Sequence, residues 1–379
     1  MNRETQLTLI DRINTHRGAD RGTDTAVGSL RVATTNYTDQ ERFHAERHII
    51  GQEANMVGLS GLLPGPSTFA TVMVGDSPVV LTRDADRRIT AMLNVCSHRG
   101  AEVADGCGEA KRLTCPYHGW TYHLDGSPAA RRREQHFDDV EQRGLTRLPV
   151  VESEGLIWVS ADPTAMIDEQ PLHGAEAELG PFGLDRYRLF AARAFTRPLN
   201  WKLAVDTFCE AYHVGSLHRT SLSPLIHSDY ALFDRFGPHG RMIATRRSIT
   251  ELDDQPRGEW SLLPHATILW FLTPNTVLIY QQDHVEVYQS RPGASPDEAH
   301  LTVSLYVPPD SPKSDNYWSR NFELLIDVTD TEDFGIAAGI QRGFRANAHD
   351  SVVFGRNEPA LQHFHQALDE ILIAASLER

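Results

Sequence analysis

Cysteine is scarce in this chain, with four in 379 residues, at positions 96, 107, 115 and 209. Such a number gives no disulfide scaffold and suits the reducing cytoplasm, which is the expected compartment. Positive charge is also short: 36 Lys and Arg stand against 51 Asp and Glu, for a formal net charge of −15. This balance argues against a nucleic-acid partner or an anionic membrane surface, since both require a basic face. No apolar run approaches the ~20 residues of a membrane helix, and Ala266 to Leu272 (ATILWFL) falls far short. The start, MNRETQLTLIDRINTHRG, lacks the apolar core of a secretory signal. Repeats and low-complexity tracts are missing, and so is a Gly-rich dinucleotide fingerprint behind a strand, so nicotinamide and flavin are expected to bind elsewhere.

What the chain does have is two cysteines placed beside histidines. Cys96-Ser-His98-Arg-Gly is followed by Cys115-Pro-Tyr-His118-Gly-Trp120, with sixteen residues between His98 and Cys115. With 18 His in the chain, chance supplies both spacings together about 0.04 times, so the pattern calls for a chemical reason. Two thiolates and two imidazoles suit an iron-sulfur centre of mixed ligation, in which neutral nitrogen raises the reduction potential. Zinc is the rival, because Cys2His2 also suits a tetrahedral ion, although zinc fingers usually pair Cys with Cys and His with His.

These loops resemble the C-x-H and C-x-x-H ligand loops of Rieske proteins, and CPYHGW resembles the oxygenase branch of that superfamily. The respiratory branch has an extra cysteine in each loop, and here Ala101 and Tyr117 leave no such pair. The resemblance implies a 2Fe-2S cluster bound by Cys96, His98, Cys115 and His118. Cys107 and Cys209 read as small packed thiols. The basic run Arg131-Arg132-Arg133, with Lys111-Arg112 near it in sequence, reads as a solvated face, with docking of an acidic electron donor as the alternative.

A length of 379 residues suggests two domains. The first fifty residues read as helices. FATVMVG, PVVLTRD and ITAMLNV then read as strands, and Gly155-Leu-Ile-Trp-Val159 closes the strand-rich block. The expected division is an N-terminal helical segment over 1–49 packing on the catalytic domain, a cluster domain over 50–165 and a catalytic domain over 166–379. Strands are expected near 187–198, 241–250, 266–272, 276–290 and 299–307, and helices over 201–213, 315–346 and 356–376. The fold class is α+β: an all-β Rieske domain plus a catalytic domain whose antiparallel sheet is covered by helices, a helix-grip-like arrangement.

The segment NWKLAVDTFCEAYHVGSLH holds His213 and His218. His-x4-His alone carries nothing, since chance gives about 0.8 such pairs in a chain of this composition. On a helix, however, Asp206, Glu210 and His213 share one face at i, i+4 and i+7. A carboxylate three residues before a histidine is placed to accept the spare ring N–H of a metal-bound imidazole. The segment resembles the mononuclear-iron motif of Rieske oxygenases, which implies His213 and His218 as Fe(II) ligands within a two-His, one-carboxylate triad. Asp333, in TEDFGIAAGIQRG, resembles the family's third ligand, with Asp330 and Asp327 as alternatives. Glu210 stands where the family places its bridging carboxylate, usually Asp, between a cluster histidine of one subunit and the iron histidine of the next; Asp206 is the second candidate catalytic carboxylate. Glu at that place is also found in members acting on quaternary ammonium compounds.

The resemblance implies the terminal oxygenase of a multicomponent system, taking NADH electrons through a separate reductase, with or without a ferredoxin. It also implies a head-to-tail homotrimer, with a small beta subunit left open. The expected reaction is O2-dependent hydroxylation, dihydroxylation or oxidative demethylation of a small aromatic or quaternary-amine substrate. Trp270, Phe271, Tyr280, His284 and Tyr288 are candidate pocket residues, with an aromatic cage for a cation as one arrangement. The competing function is a Rieske electron carrier or redox sensor without oxygenase activity.

Overall fold

The computed structural model describes residues 1–19 and 22–377. The chain divides into two compact units, one of Met1–Arg47, Leu172–Phe182 and Leu189–Arg379, the other of His48–Pro171 and Gly183–Arg188.

In the smaller unit, runs of β-branched and apolar residues make short strands. Arg147–Leu148, Ile89–Leu93, Ser77–Arg83, Thr68–Val74 and Cys107–Glu109 lie side by side in that order, each pair antiparallel. A second sheet joins Val150–Ser153, Leu156–Val159 and Asn55–Leu59. Val57, Val79, Leu81, Ile157 and Val159 from the two sheets meet in one buried core. A third, small sheet runs Leu113–Thr114, Thr121–Tyr122, Pro128–Ala130, and the turn between its first two strands is the second Cys-His loop. Cys107 corrects an expectation: it is exposed, because its strand is paired on one side only and forms the sheet edge.

The larger unit is built on seven strands: β1 (Arg188–Arg197), β2 (Leu232–Phe236), β3 (His239–Thr245), β4 (Ala266–Leu272), β5 (Thr276–Tyr280), β6 (Val285–Pro292) and β7 (Ala299–Val307). Their order in the sheet is β1-β7-β6-β5-β4-β3-β2. Hairpin connections make the β2 to β7 neighbours antiparallel. β4 is buried at all seven positions, so ATILWFL is a central strand covered on both faces.

Helices α1 (Trp201–Asp206), α2 (Asp315–Asp327), α3 (Phe334–Arg345) and α4 (Pro359–Leu377) accompany the sheet. On α4, Leu361, Phe364 and Leu368 recur at helical spacing and are buried, which fixes the face that packs on β3 and β2. The N-terminal helix Gln40–Gln52 is tied to α1 by a fully buried ion pair, Glu46 with Lys202, and by Trp201 Nε1 donating to Glu46 at 2.9 Å. Removing one partner of such a pair costs about 3–5 kcal/mol, because the other charge is left buried alone.

Several elements differ from expectation: the strand expected over 276–290 is the pair β5 and β6, and the helix expected over 201–213 ends at Asp206. Leu30–Ala33 is a strand, paired antiparallel with Ser351–Phe354; four residues whose partner lies 320 positions away leave no local periodicity to read. The expected single helix over 315–346 is interrupted by a π turn, Val328–Asp333, between α2 and α3. Among the described residues, no helix is long and apolar enough to cross a membrane.

Candidate iron-sulfur and iron sites

The two Cys-His loops have the same backbone form. Cys96 N–H donates to Ala101 O at 2.8 Å and Gly100 N–H returns to Cys96 O at 2.9 Å; Cys115 N–H donates to Trp120 O at 2.8 Å and Gly119 N–H returns to Cys115 O at 3.0 Å. Each turn closes on a glycine of positive φ, +81° at Gly100 and +76° at Gly119, a conformation that a side chain resists. Both cysteines are buried, in a core with Leu113, Trp120 and Tyr122.

The histidines converge as well. The His98 and His118 rings are 4.7 Å apart, and His98 lies flat on Trp120 at 4.7 Å with 4° between the planes. His98 Nδ1 is buried without a hydrogen-bond partner. A buried nitrogen with no donor or acceptor is costly unless something else takes its lone pair, and a metal ion does. Burial, then His118 and Arg99, hold the His98 pKa below its ordinary value, which favours the neutral form that ligates. Tyr122 OH lies 3.2 Å from Cys96 Sγ and 2.9 Å from Ser97 Oγ. Its pKa is pushed up to about 12, by burial first and then by Cys96, so it stays a donor. Two buried thiols, two adjacent imidazoles and an orphaned nitrogen fit a 2Fe-2S cluster of mixed ligation. Arg131, expected on a solvated face, lies instead 5.5 Å from the Trp120 ring centroid, its side chain only 7% exposed.

In the larger unit, His213, His218 and Asp333 each offer a ligand atom, and these atoms lie within 4.8 Å of one another. His218 Nε2 is 3.0 Å and His213 Nε2 3.6 Å from Asp333 Oδ1. The opposite ring nitrogens face other carboxylates: His213 Nδ1 pairs with Glu210, and His218 Nδ1 lies 2.7 Å from Glu332, which also accepts from Ser221 at 2.9 Å. Both Nδ1 atoms thus have acceptors, leaving both Nε2 lone pairs for one centre. Burial lowers the His218 pKa, but Asp333 and Glu332 outweigh it and raise it. Asp330, an alternative third ligand, is instead ion-paired with Arg197. The π turn ends on Asp333 and shifts the register of the helical face.

The helical premise for Asp206, Glu210 and His213 does not hold. α1 ends at Asp206, where Phe208 N–H and Cys209 N–H close tight bonds onto Val205 O and Asp206 O at 3.0 Å each. Glu210 then accepts His213 N–H at 3.0 Å, an N-cap-like bond at the entrance to the short 3-10 turn Tyr212–Gly215. Asp206 parts from its neighbours: it accepts from Tyr37 OH at 2.7 Å and pairs with His365 at 2.9 Å. Of these two carboxylates, Glu210 alone meets a histidine of the trio.

The trio opens into a cavity of about 440 Å³. Met242, Ala244, Thr267, Leu269, Ile279, Gln281, Glu286 and Tyr288 form its floor, one face of the sheet. Strand alternation therefore turns Trp270 and Tyr280 to the other face, where Trp270 packs on Phe236 and Tyr280 on Phe182. Phe271 lies beyond the cavity, leaving His284 and Tyr288 as the expected pocket residues that line it. Phe208, tilted against Tyr288 at 4.5 Å, and Arg246, Gln281, Glu286 and Glu332 were not singled out by sequence. The period of two counted from Tyr288 marks Glu286, and adjacency to Asp333 marks Glu332.

A family model described as the ring hydroxylating alpha subunit (catalytic domain) matches residues 184–374, and a Rieske 2Fe-2S domain model matches residues 54–148. The chain belongs to the ring-hydroxylating oxygenase alpha subunits. This alpha subunit is an oxygenase with a Rieske 2Fe-2S domain and a non-haem iron catalytic domain, and not a free-standing electron carrier. It is 27% identical over 363 residues to a glycine betaine monooxygenase oxygenase subunit of Chromohalobacter salexigens, covering 84% of this chain and 80% of that one. It is 28% identical over 366 residues to a carnitine monooxygenase oxygenase subunit of Escherichia coli, covering 88% and 92%. A quaternary ammonium Rieske monooxygenase solved with L-carnitine shares the fold at a TM-score of 0.75 and 20% identity, covering 94% of this chain and 97% of that one. A Rhodococcus naphthalene 1,2-dioxygenase shares it at 0.75 and 18%, covering 98% and 99%.

Proposed function

We propose that this alpha subunit oxidises a carbon next to the nitrogen of a small quaternary ammonium compound, at an iron held by His213, His218 and Asp333. Cys96 and Cys115 would hold one iron of the cluster, His98 and His118 the other. When bound, the cluster supplies electrons singly and ferrous iron supplies O2 activation. The trio with its Nδ1 atoms tied back to Glu210 and Glu332, opening into a cavity, is the observation that carries the reading. Glu210 in place of the commoner Asp, and the relatives named for betaine and carnitine, favour a quaternary amine over an aromatic ring.

The chain's own groups have defined tasks in this reading. Glu210 and Glu332 fix ring orientation and tautomer, Phe208 and Tyr288 supply aromatic wall, and the enclosing side chains exclude water. The net reaction consumes substrate, O2, NADH and a proton, and yields hydroxylated carbon, NAD+ and water; the carbinol then collapses to an amine and an aldehyde. The reductase is a separate protein of the cytoplasm, with a ferredoxin between them where the system has one. The trimer brings Glu210 beside His118 of the neighbouring subunit.

Product analysis under labelled O2, with a reductase, NADH and a panel of quaternary amines and aromatic compounds, tests this. One labelled oxygen in an aldehyde product is expected, and a cis-diol from an aromatic ring would overturn it. Light scattering at the mass of three chains tests the trimer.

A further inference from the structure

We propose that Arg246 is an anion subsite of the cavity, taking the carboxylate of a substrate whose oxidised carbon lies at the His213, His218 and Asp333 end; this rests on the quaternary-amine reading above. Arg246 lines the cavity, and its Nε is buried without a hydrogen-bond partner. Its guanidinium makes one side-chain bond, to Gln281 Oε1 at 2.7 Å, and Gln281 Oε1 is itself held by Thr267 at 3.0 Å. Among the described residues no carboxylate reaches ion-pair distance of Arg246.

The buried arginines are treated differently. Arg241, on β3, also has an unpartnered Nε but holds Glu178 at 2.9 Å and Asp234 at 2.8 Å, and Arg83 holds Glu152 at 2.7 Å. A chain with a net charge of −15 has no shortage of partners. The acids nearest Arg246 are already engaged: His284 bridges Asp283 at 2.7 Å and Glu286 at 3.2 Å, and Tyr288 OH donates to Glu286 at 2.9 Å. Burial lowers the Arg246 pKa, with Glu286 and Asp283 partly offsetting it, but a guanidinium stays charged. A planar fork with free donors in a partly buried wall matches a carboxylate.

The register places the subsite. Thr267 pairs with Ala244, Leu269 with Ile279, Ile279 with Glu286 and Val277 with Tyr288, which gives successive cavity rows about 7 Å apart. Arg246 reaches the Thr267 and Gln281 row. Tyr288, two rows further, approaches Thr329 in the π turn that ends on Asp333. The cavity therefore has Arg246 at one end and the carboxylates of Glu210 and Asp333 at the other, with Glu286, paired to His284, on the row between. A zwitterion with its ammonium at the iron end fits that order, whereas choline leaves Arg246 unmatched.

Calorimetry on the anaerobic, iron-loaded protein without NADH tests this by binding alone. The probes are γ-butyrobetaine, its methyl ester, choline and butyrate, with wild type, Arg246→Gln and Arg246→Lys. Wild type is expected to prefer γ-butyrobetaine over the ester by about tenfold or more, and Arg246→Gln to abolish that preference by weakening only the acid. Arg246→Lys, which keeps the charge and loses the fork, is expected to fall between. If wild type does not prefer acid over ester, or binds no carboxylate, or if Arg246→Gln with an intact cluster spectrum keeps the preference, the subsite is overturned. Should Arg246→Gln fail to fold, the wild-type comparison still decides. Arg246-dependent binding of butyrate but not γ-butyrobetaine would keep the subsite and remove the ammonium reading; equal, Arg246-independent binding of choline and γ-butyrobetaine would do the reverse.

Discussion

Glu332 sits 2.7 Å from Nδ1 of His218, one residue before the carboxylate that faces the other side of the same ring. Consecutive acids thus grip one imidazole from opposite nitrogens, which the π turn allows by placing both within reach of His218. His213 is held in the same manner by Glu210, three residues before it in sequence.

Replacing Glu332 by Gln keeps the shape and loses the charge that holds Nδ1–H. Loss of such an outer carboxylate weakens metal affinity by about 10–100-fold. Competition with a chelator should show this loss of mononuclear iron, with the cluster's visible spectrum unchanged. Wild-type retention of iron by Glu332→Gln would mean that Glu332 only packs.

Asp333→Ala removes the proposed third ligand and leaves the smaller unit untouched. Metal analysis should fall from about three irons per chain to about two, since two belong to the cluster and one to the trio. Full iron in this variant would move the third ligand elsewhere, Asp330 being the less suitable because Arg197 occupies it.

Tyr122 OH lies 3.2 Å from Cys96 Sγ, and with Cys96 as a cluster thiolate the hydroxyl is the donor, a hydrogen bond that stabilises the reduced, more negative cluster. Tyr122→Phe should therefore lower the reduction potential by on the order of 50 mV, the equivalent of about one net hydrogen bond in a one-electron couple. Protein-film voltammetry measures it, and an unchanged or raised potential would refute the role.

The cluster loops were legible because their ligands are local: Cys-x-His and Cys-x-x-His are complete within three and four residues, and glycine marks each turn. The strands from Phe69 onward and the central ATILWFL were legible from apolar and β-branched runs. The trio was half legible, since His213 and His218 are near in sequence but Asp333 is 115 residues from His218 and enters on a π turn that has no composition of its own. Asp206 misled because its partners, Tyr37 and His365, come from distant segments and leave no mark on local periodicity. Trp270 and Tyr280 misled because bulk was weighed above strand parity, and Arg246 is visible only once neighbouring strands are in register.

His284 gives the larger unit a pH dependence of known sign. Burial on its own lowers its pKa, but the hydrogen bonds it donates to Asp283 and Glu286, with their charges, outweigh burial and push it to about 9, against an ordinary 6.5. A folded-state pKa above the unfolded one means that the folded protein holds the proton more tightly. The stabilisation is fully present below pH 6.5 and is lost as pH rises through about 9. A shift of this size corresponds to about 3 kcal/mol as an order of magnitude. Urea unfolding at pH 6.5 and pH 9.5 should show that fall, and His284→Asn, though less stable at the lower pH, should lose most of the slope. A slope in this variant equal to that of wild type would assign the pH dependence to other groups and leave the Asp283 and Glu286 pair without its proposed counter-charge.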